Sequence, residues 1–161
     1  MRVIAHNTTR SVALVCLAAA FACADAHDDV LEVVTSMAGA LSETGDQAAA
    51  HIANVAKFMS AFSKDMPDYD TLEKNVTALV NNADVSSSIQ PLNEDGDDQA
   101  RQIDLDWLLE VHSLVQDGPD VRRREVLHCE LRKEEVRKNK QRWKIVSIKP
   151  IDFFAPPNLG K

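Results

Sequence analysis

Residues 102–113 read QIDLDWLLEVHS. Ile103, Leu105, Trp107, Leu109 and Val111 fall on one side of an extended chain, while Asp104, Asp106, Glu110 and His112 fall on the other. That alternation predicts a half-buried antiparallel strand. Downstream, residues 122–133 place Leu127, Cys129 and Leu131 on one face, and residues 143–148 do the same for Trp143 and Ile145. Turns at Asp117-Gly118-Pro119 and Lys138-Asn139 join them into a meander. Upstream, residues 84–90 read as a weak strand leading into a solvated acidic turn at 93–98.

Three helices precede the sheet. Val30, Val33, Val34, Met37 and Leu41 recur at helical intervals after Asp28, which can cap the first turn, so helix one is expected over 28–42. Gly45 breaks the pattern. Thr44 or Asp46 can cap a second helix whose apolar face is read as Ala48, Ile52, Val55, Met59 and Phe62. After Met66-Pro67, residues 70–73 have capping-box spacing, and Leu72, Val76, Leu79 and Val80 form a third stripe ended by Asn81-Asn82.

Residues 1–26 read as an export signal. Arg2 and Arg10 give a positive start, residues 11–23 form an apolar run of 13, and Ala24-Asp25-Ala26 puts small residues where a signal peptidase cuts, after Ala26. A lipidated Cys23 fits less well, because Phe21 is large and no leucine opens the box. The remaining domain, 27–161, is expected to be periplasmic or secreted, without a membrane-spanning segment. Cys129 is then the lone cysteine, so no internal disulfide forms, and its setting in a strand reads as a small buried side chain rather than a nucleophile.

Charge is segregated along the chain. Residues 27–120 carry 4 basic and 19 acidic side chains, whereas residues 121–161 carry 12 basic and 5 acidic. The net charge of −7 disfavours a nucleic-acid partner. Arg122-Arg123-Arg124 and residues 138–144 are basic, with Trp143 as a conceivable stacking platform, but a basic strand beside an acidic one lets opposite charges pair across the sheet.

Three helices followed by a long-stranded meander resemble the nuclear transport factor 2-like superfamily, which includes SnoaL-like and ketosteroid-isomerase-like proteins. The resemblance is carried by residues 37–42 (MAGALS) leading to Gly45-Asp46, by 104–107 (DLDW), by 142–145 (RWKI) and by 151–157 (IDFFAPP). It implies an α+β domain in which a curved antiparallel sheet wraps the helices as a cone with a pocket inside its mouth. Strand parity then gives that pocket an apolar lining: Leu105, Trp107, Leu127, Cys129 and Trp143 from the sheet, and Val55, Met59, Phe62, Met66 and Tyr69 from the helical side.

Proton abstraction of the ketosteroid-isomerase kind needs a carboxylate base and oxyanion donors inside the cavity. Asp65, Asp68, Tyr69, Glu125 and Cys129 are the ionisable groups within reach, and they do not compose such a set. No histidine cluster has metal-ligand spacing, and no cofactor is implied. Leu108, Val126 and Val146 form an apolar patch on the outer face of the sheet, with His112 and His128 facing each other nearby, which suggests a homodimer through that face. The expected function is binding of a small apolar molecule or a protein partner. The alternatives are a SnoaL-like isomerase, cyclase or hydratase, and an adaptor whose interior is filled by its own side chains.

Overall fold

The computed structural model describes residues 11–42, 48–114, 120–138 and 140–156, without the side chains of 11–25 and 48–49. Three helices, α1 (Ser11–Leu41), α2 (Ala48–Met59) and α3 (Tyr69–Asn82), precede four strands, β1 (Ala83–Gly96), β2 (Ala100–Ser113), β3 (Val121–Arg137) and β4 (Lys140–Lys149). A short 3₁₀ turn, Ile151–Phe154, follows. The strands form one antiparallel sheet in the order β1-β2-β3-β4, the meander that the alternating pattern predicts. The fold is therefore α+β.

The parity of β2 decides how the layers meet. Ile103, Leu105, Trp107, Leu109 and Val111 are all buried, as are Leu127, Cys129 and Leu131 of β3 and Trp143, Ile145 and Ile148 of β4. They pack with Val30, Val34 and Met37 of α1 and with Leu72, Val76 and Leu79 of α3 in one apolar cluster. Trp107 is fully buried. Its indole N–H donates to Ser87 Oγ at 2.9 Å, so burial leaves no unmade hydrogen bond. The same Ser87 ties α1 to β1: its N–H donates to Ser42 Oγ at 2.7 Å, and Ser42 Oγ donates to Ser87 O at 3.1 Å.

The space between sheet and helices is filled by aromatic rings. Phe154 meets Trp107 edge-on with centroids 5.1 Å apart and Phe58 at 5.4 Å; Phe153 lies 6.0 Å from Trp107. The 3₁₀ turn brings both of its rings inward. Arg123 Nη1 donates to Phe153 O at 2.8 Å and to Ala155 O at 2.5 Å, satisfying two carbonyls of that turn.

Several expectations are corrected. Ile52 is 71% exposed, because the buried stripe of α2 runs through Asn54, Val55, Phe58 and Met59 instead. Val55 and Met59 are common to both stripes, and the buried face is turned from them toward Asn54 and Phe58 and away from Ile52. Phe62 lies beyond the end of α2, in a bridge to Ile145 of β4. The expected capping box at Asp70 does not form. The N-cap of α3 is Asp68 in the left-handed region (φ 65°), with no side-chain cap. Leu72 N–H donates to Asp68 O at 2.9 Å.

Residues 93–96 belong to β1 and pair with β2, so the hairpin turn is only Asp97-Asp98-Gln99. Asp97 Oδ1 accepts from the N–H groups of Gln99 and Ala100, both at 2.8 Å, which holds its carboxyl below the usual range. Gly96 has φ 132°, and a Cβ there would stand 2.3 Å from Ala100 O, so this position excludes side chains. Nor is Glu94 a freely solvated acid: it accepts from Arg101 Nη1 at 2.6 Å and lies 2.5 Å from His27 Nδ1. The turn at 117–119, the break around Gly45 and the side chain of Ala48 lie outside the described residues. The expected cleavage point falls within the continuous α1, where Ala26 is part of the core. Among the described residues, no helix is long and apolar enough to cross a membrane.

Phe154→Ala empties the junction between sheet and helices and is expected to cost about 3–5 kcal/mol. Ile52→Ala, on an exposed face, is expected to stay within about 0.5 kcal/mol of the parent. Urea unfolding of both variants checks the pair; equal losses would show that the aromatic junction is misplaced.

Candidate functional site

The residues expected to line an internal pocket divide into three groups. Leu105, Trp107, Leu127 and Cys129 lie deepest and are fully buried, closed over by Phe58, Phe153 and Phe154. They belong to the core. Met59, Phe62 and Tyr69 edge an outer cleft between the ends of α2 and α3, whose other walls include Asp65, Glu73 and Glu134. Val55 and Met66 pack on the core beside it. Of these residues, Trp143 alone reaches a second groove, between α1 and β4.

The five candidate catalytic groups do not converge. Cys129 is 1% exposed, and burial, with a smaller contribution from the Asp104 charge, pushes its thiol up to about 12. A thiol held protonated and shielded is not a nucleophile at neutral pH. Glu125 is exposed and sits near the start of β3, in a shallow cleft with Arg122, Arg123 and Asp152. Asp68 is exposed at the start of α3. Tyr69 and Asp65 share the α2–α3 cleft, but burial first, then Glu73 and Asp70, raise the Tyr69 phenol, which keeps it protonated. No hydrogen bond joins Tyr69 to Asp65 among the described residues, and Asp65 N–H donates to Ser63 Oγ at 3.3 Å instead. General acid–base work needs two groups that face one reacting atom; these two line one cleft without a bond between them, and Cys129, Glu125 and Asp68 are not among its lining residues.

The outer sheet face is a ladder of ion pairs. Arg124 grips Asp106 bidentately, Nε to Oδ1 at 3.0 Å and Nη2 to Oδ2 at 2.5 Å, which lowers the carboxyl and raises the guanidinium. His128 Nδ1 lies 2.6 Å from Asp104 Oδ1, and that bond, with one from Asn93, holds Asp104 low. His112 does not face His128: the register sets His112 opposite Asp84, while its ring contacts Asp120 at 3.2 Å. The apolar patch is also interrupted. Leu108 stands opposite Arg124, diagonal to Val126, whereas Val146 sits at the irregularity beside Glu130, about 13 Å farther along the sheet. Among the described residues, no group of three or more His, Cys, Asp or Glu could hold a metal.

What remains is the groove between α1 and β4, a cleft of about 480 Å³. Asp29, Glu32, Val33, Ser36 and Met37 of α1 form one wall, and Lys57, Ser60 and Ala61 close its end. Lys133 and residues 140–144 supply the other wall. Its charge is basic on balance, Lys57, Lys133, Lys140, Arg142 and Lys144 against Asp29 and Glu32, and one wall is aromatic. Lys133 Nζ stands 5.2 Å from the centroid of the Trp143 ring. Trp143 is 4% exposed, and its indole N–H has no acceptor among the described residues, unlike that of Trp107. Lys144 donates to Ser60 O, and partial burial, aided by Arg142, lowers its ammonium while Glu134 opposes the shift. Lys133, Lys140 and Arg142 form no ion pair with a described residue. Sequence reasoning singled out residues 138–144, not Lys133, and assigned their charge to pairing across the sheet; the register shows that β2 ends opposite Arg132, so this basic run lies beyond it.

No family model, curated protein or solved structure matches the chain.

Because the folded Cys129 thiol is raised from its ordinary value near 9 to about 12, the unfolded chain releases a proton that the folded chain keeps. Cys129 therefore supports stability fully below about pH 9 and loses that support as pH rises toward 12. Urea midpoints measured at pH 8 and 10.5 are expected to fall more for the parent than for Cys129→Ala. Cys129 is also expected to resist maleimide in the native protein at pH 8 and to react once unfolded; stoichiometric native labelling of the peptide that carries Cys129 would contradict the burial.

Proposed function

We propose that this chain is an exported, non-catalytic binding domain of the nuclear transport factor 2-like type, that its partner is a protein, and that the α1–β4 cleft is the contact surface. The observation that carries the reading is the contrast between a filled interior and an open basic groove. The helix-facing side of the sheet is packed by Trp107, Phe58, Phe153 and Phe154, so a small apolar ligand has no room there without displacing a ring. Export is supported by the sequence of residues 1–26. The family likeness is supported by three helices ahead of a long-stranded meander.

A basic groove suits a protein partner better than an apolar metabolite. Its cations stand beside Val33 and beside the edge of the largely buried Trp143 ring, whose indole N–H has no acceptor among the described residues. Interfaces are anchored by such aromatic and arginine groups, with charge steering the encounter.

Two titrations of the ¹⁵N- and methyl-labelled chain test the reading. Soluble polyglutamate is expected to shift the Trp143 indole and the amides of residues 140–144. Apolar probes such as a fatty acid or a sterol are expected to leave the Leu105 and Leu127 methyls and the melting temperature unchanged. Saturable stabilisation by an apolar probe, with shifts at those methyls, would overturn the proposal in favour of an internal pocket.

A further inference from the structure

The edge of β4 is half covered. Ile145 N–H donates to Ala61 O at 2.9 Å, and Ile145 O accepts from Ser63 N–H at 2.9 Å. Both backbone groups of Ile145 therefore point away from β3. From Ile145 to Gln141 the pairing with β3 runs without an irregularity. In an antiparallel ladder every second residue shares an edge, so Trp143 and Gln141 also turn their N–H and C=O groups outward. No described strand lies beside them: the segment that bridges Ile145 at Phe62 comes directly out of α2. Gln141 and Trp143 both line the α1–β4 cleft.

An open strand edge is a template for another strand. Here the template has a definite charge. Lys140 and Arg142 flank Gln141, Lys133 stands across from Trp143, and the three make no ion pair with a described residue. On the other wall Val33, over the buried Met37, offers an apolar contact between the carboxylates of Asp29 and Glu32, which the cations of the cleft outnumber. An added strand alternates its side chains, so one set meets that apolar contact while the other meets the cations. We infer that the cleft takes an extended acidic segment of a partner protein, alternating apolar and carboxylate side chains, as a fifth strand on the Gln141–Trp143 edge of β4. This rests on the reading of the cleft as a protein-binding surface and adds how the partner is held.

The probe is the blocked heptapeptide Glu-Val-Glu-Val-Glu-Val-Glu, titrated into the full chain. Binding is expected to slow amide exchange at Gln141 and Trp143 at least tenfold and to shift the Trp143 indole. Lys140→Glu combined with Arg142→Glu is expected to weaken binding tenfold or more. Gln141→Pro removes an outward N–H without touching the β3 ladder, and an edge strand tolerates it; it is expected to weaken binding similarly while the fold, read from the ¹⁵N spectrum, persists. A peptide N-methylated on alternate residues is expected to lose affinity as well.

If the N-methylated peptide and Gln141→Pro bind like their parents while the Trp143 indole still shifts, strand addition is overturned and the cleft reading survives. If neither this peptide nor polyglutamate shifts any cleft resonance, both fall. Equal binding by the lysine counterpart of the peptide, or tighter binding by a seven-nucleotide oligothymidylate, would overturn the choice of an acidic protein segment.

Discussion

Trp107 holds the two layers of this protein together. It stands at the centre of β2, is fully buried, and touches the rings of Phe153 and Phe154 from the C-terminal turn, while Phe154 in turn meets Phe58 of α2. A side chain of this size cannot be turned outward without reversing every other residue of its strand, since a one-residue slip exchanges the faces of a sheet. The burial of Trp107 therefore fixes which side of β2 carries Leu105 and Leu109, and through the register it fixes Leu127 and Cys129 of β3. Its indole N–H is met by Ser87, whose backbone is also the anchor for the end of α1. One residue thus couples the register of the sheet to the seating of the first helix.

The filled interior and the charged exterior have the same origin. Because the inward positions of β2 and β3 are taken by apolar groups, the ionisable residues of those strands stand on the outer face, where Asp106 and Asp104 find Arg124 and His128. Those pairs are largely exposed, and exposed pairs do more for register and specificity than for stability. The basic residues farther along β3 and on β4 lie beyond the acidic β2, which ends opposite Arg132, and the carboxylates paired across from β4 there are Glu134 and Glu135 of β3. Excess positive charge consequently gathers at one edge of the sheet, next to the groove walled by α1. Catalysis by Tyr69, Asp65 or Cys129 would need a preorganised constellation; Cys129 is sealed in the core with its thiol raised, and Tyr69, whose phenol is also raised, shares a cleft with Asp65 without a hydrogen bond between them among the described residues.

Much of this was legible in the sequence. The alternation of residues 102–113 is long and regular enough to give strand, parity and core together, and α3 follows directly from Leu72, Val76, Leu79 and Val80. Other features were hidden for physical reasons. In α2 two overlapping stripes compete, and only packing against Phe154 selects the one containing Phe58 over the one containing Ile52. The length of β1 was masked by its composition: residues 93–96 look like a solvated turn until the pairing with β2 and the Glu94–Arg101 contact are seen. The closure of the interior depended on a short aromatic doublet, Phe153-Phe154, that carries no periodicity of its own. The groove could not be read at all from spacing, since its walls come from α1 and β4, more than a hundred residues apart.

The central claim is that the protein's own rings occupy the space between sheet and helices. Xenon enters apolar cavities that water leaves empty, so a crystal of the protein held under xenon pressure reports on that space directly. The account predicts no xenon site among Leu105, Trp107, Leu127 and Phe154. A well-occupied site there would contradict it.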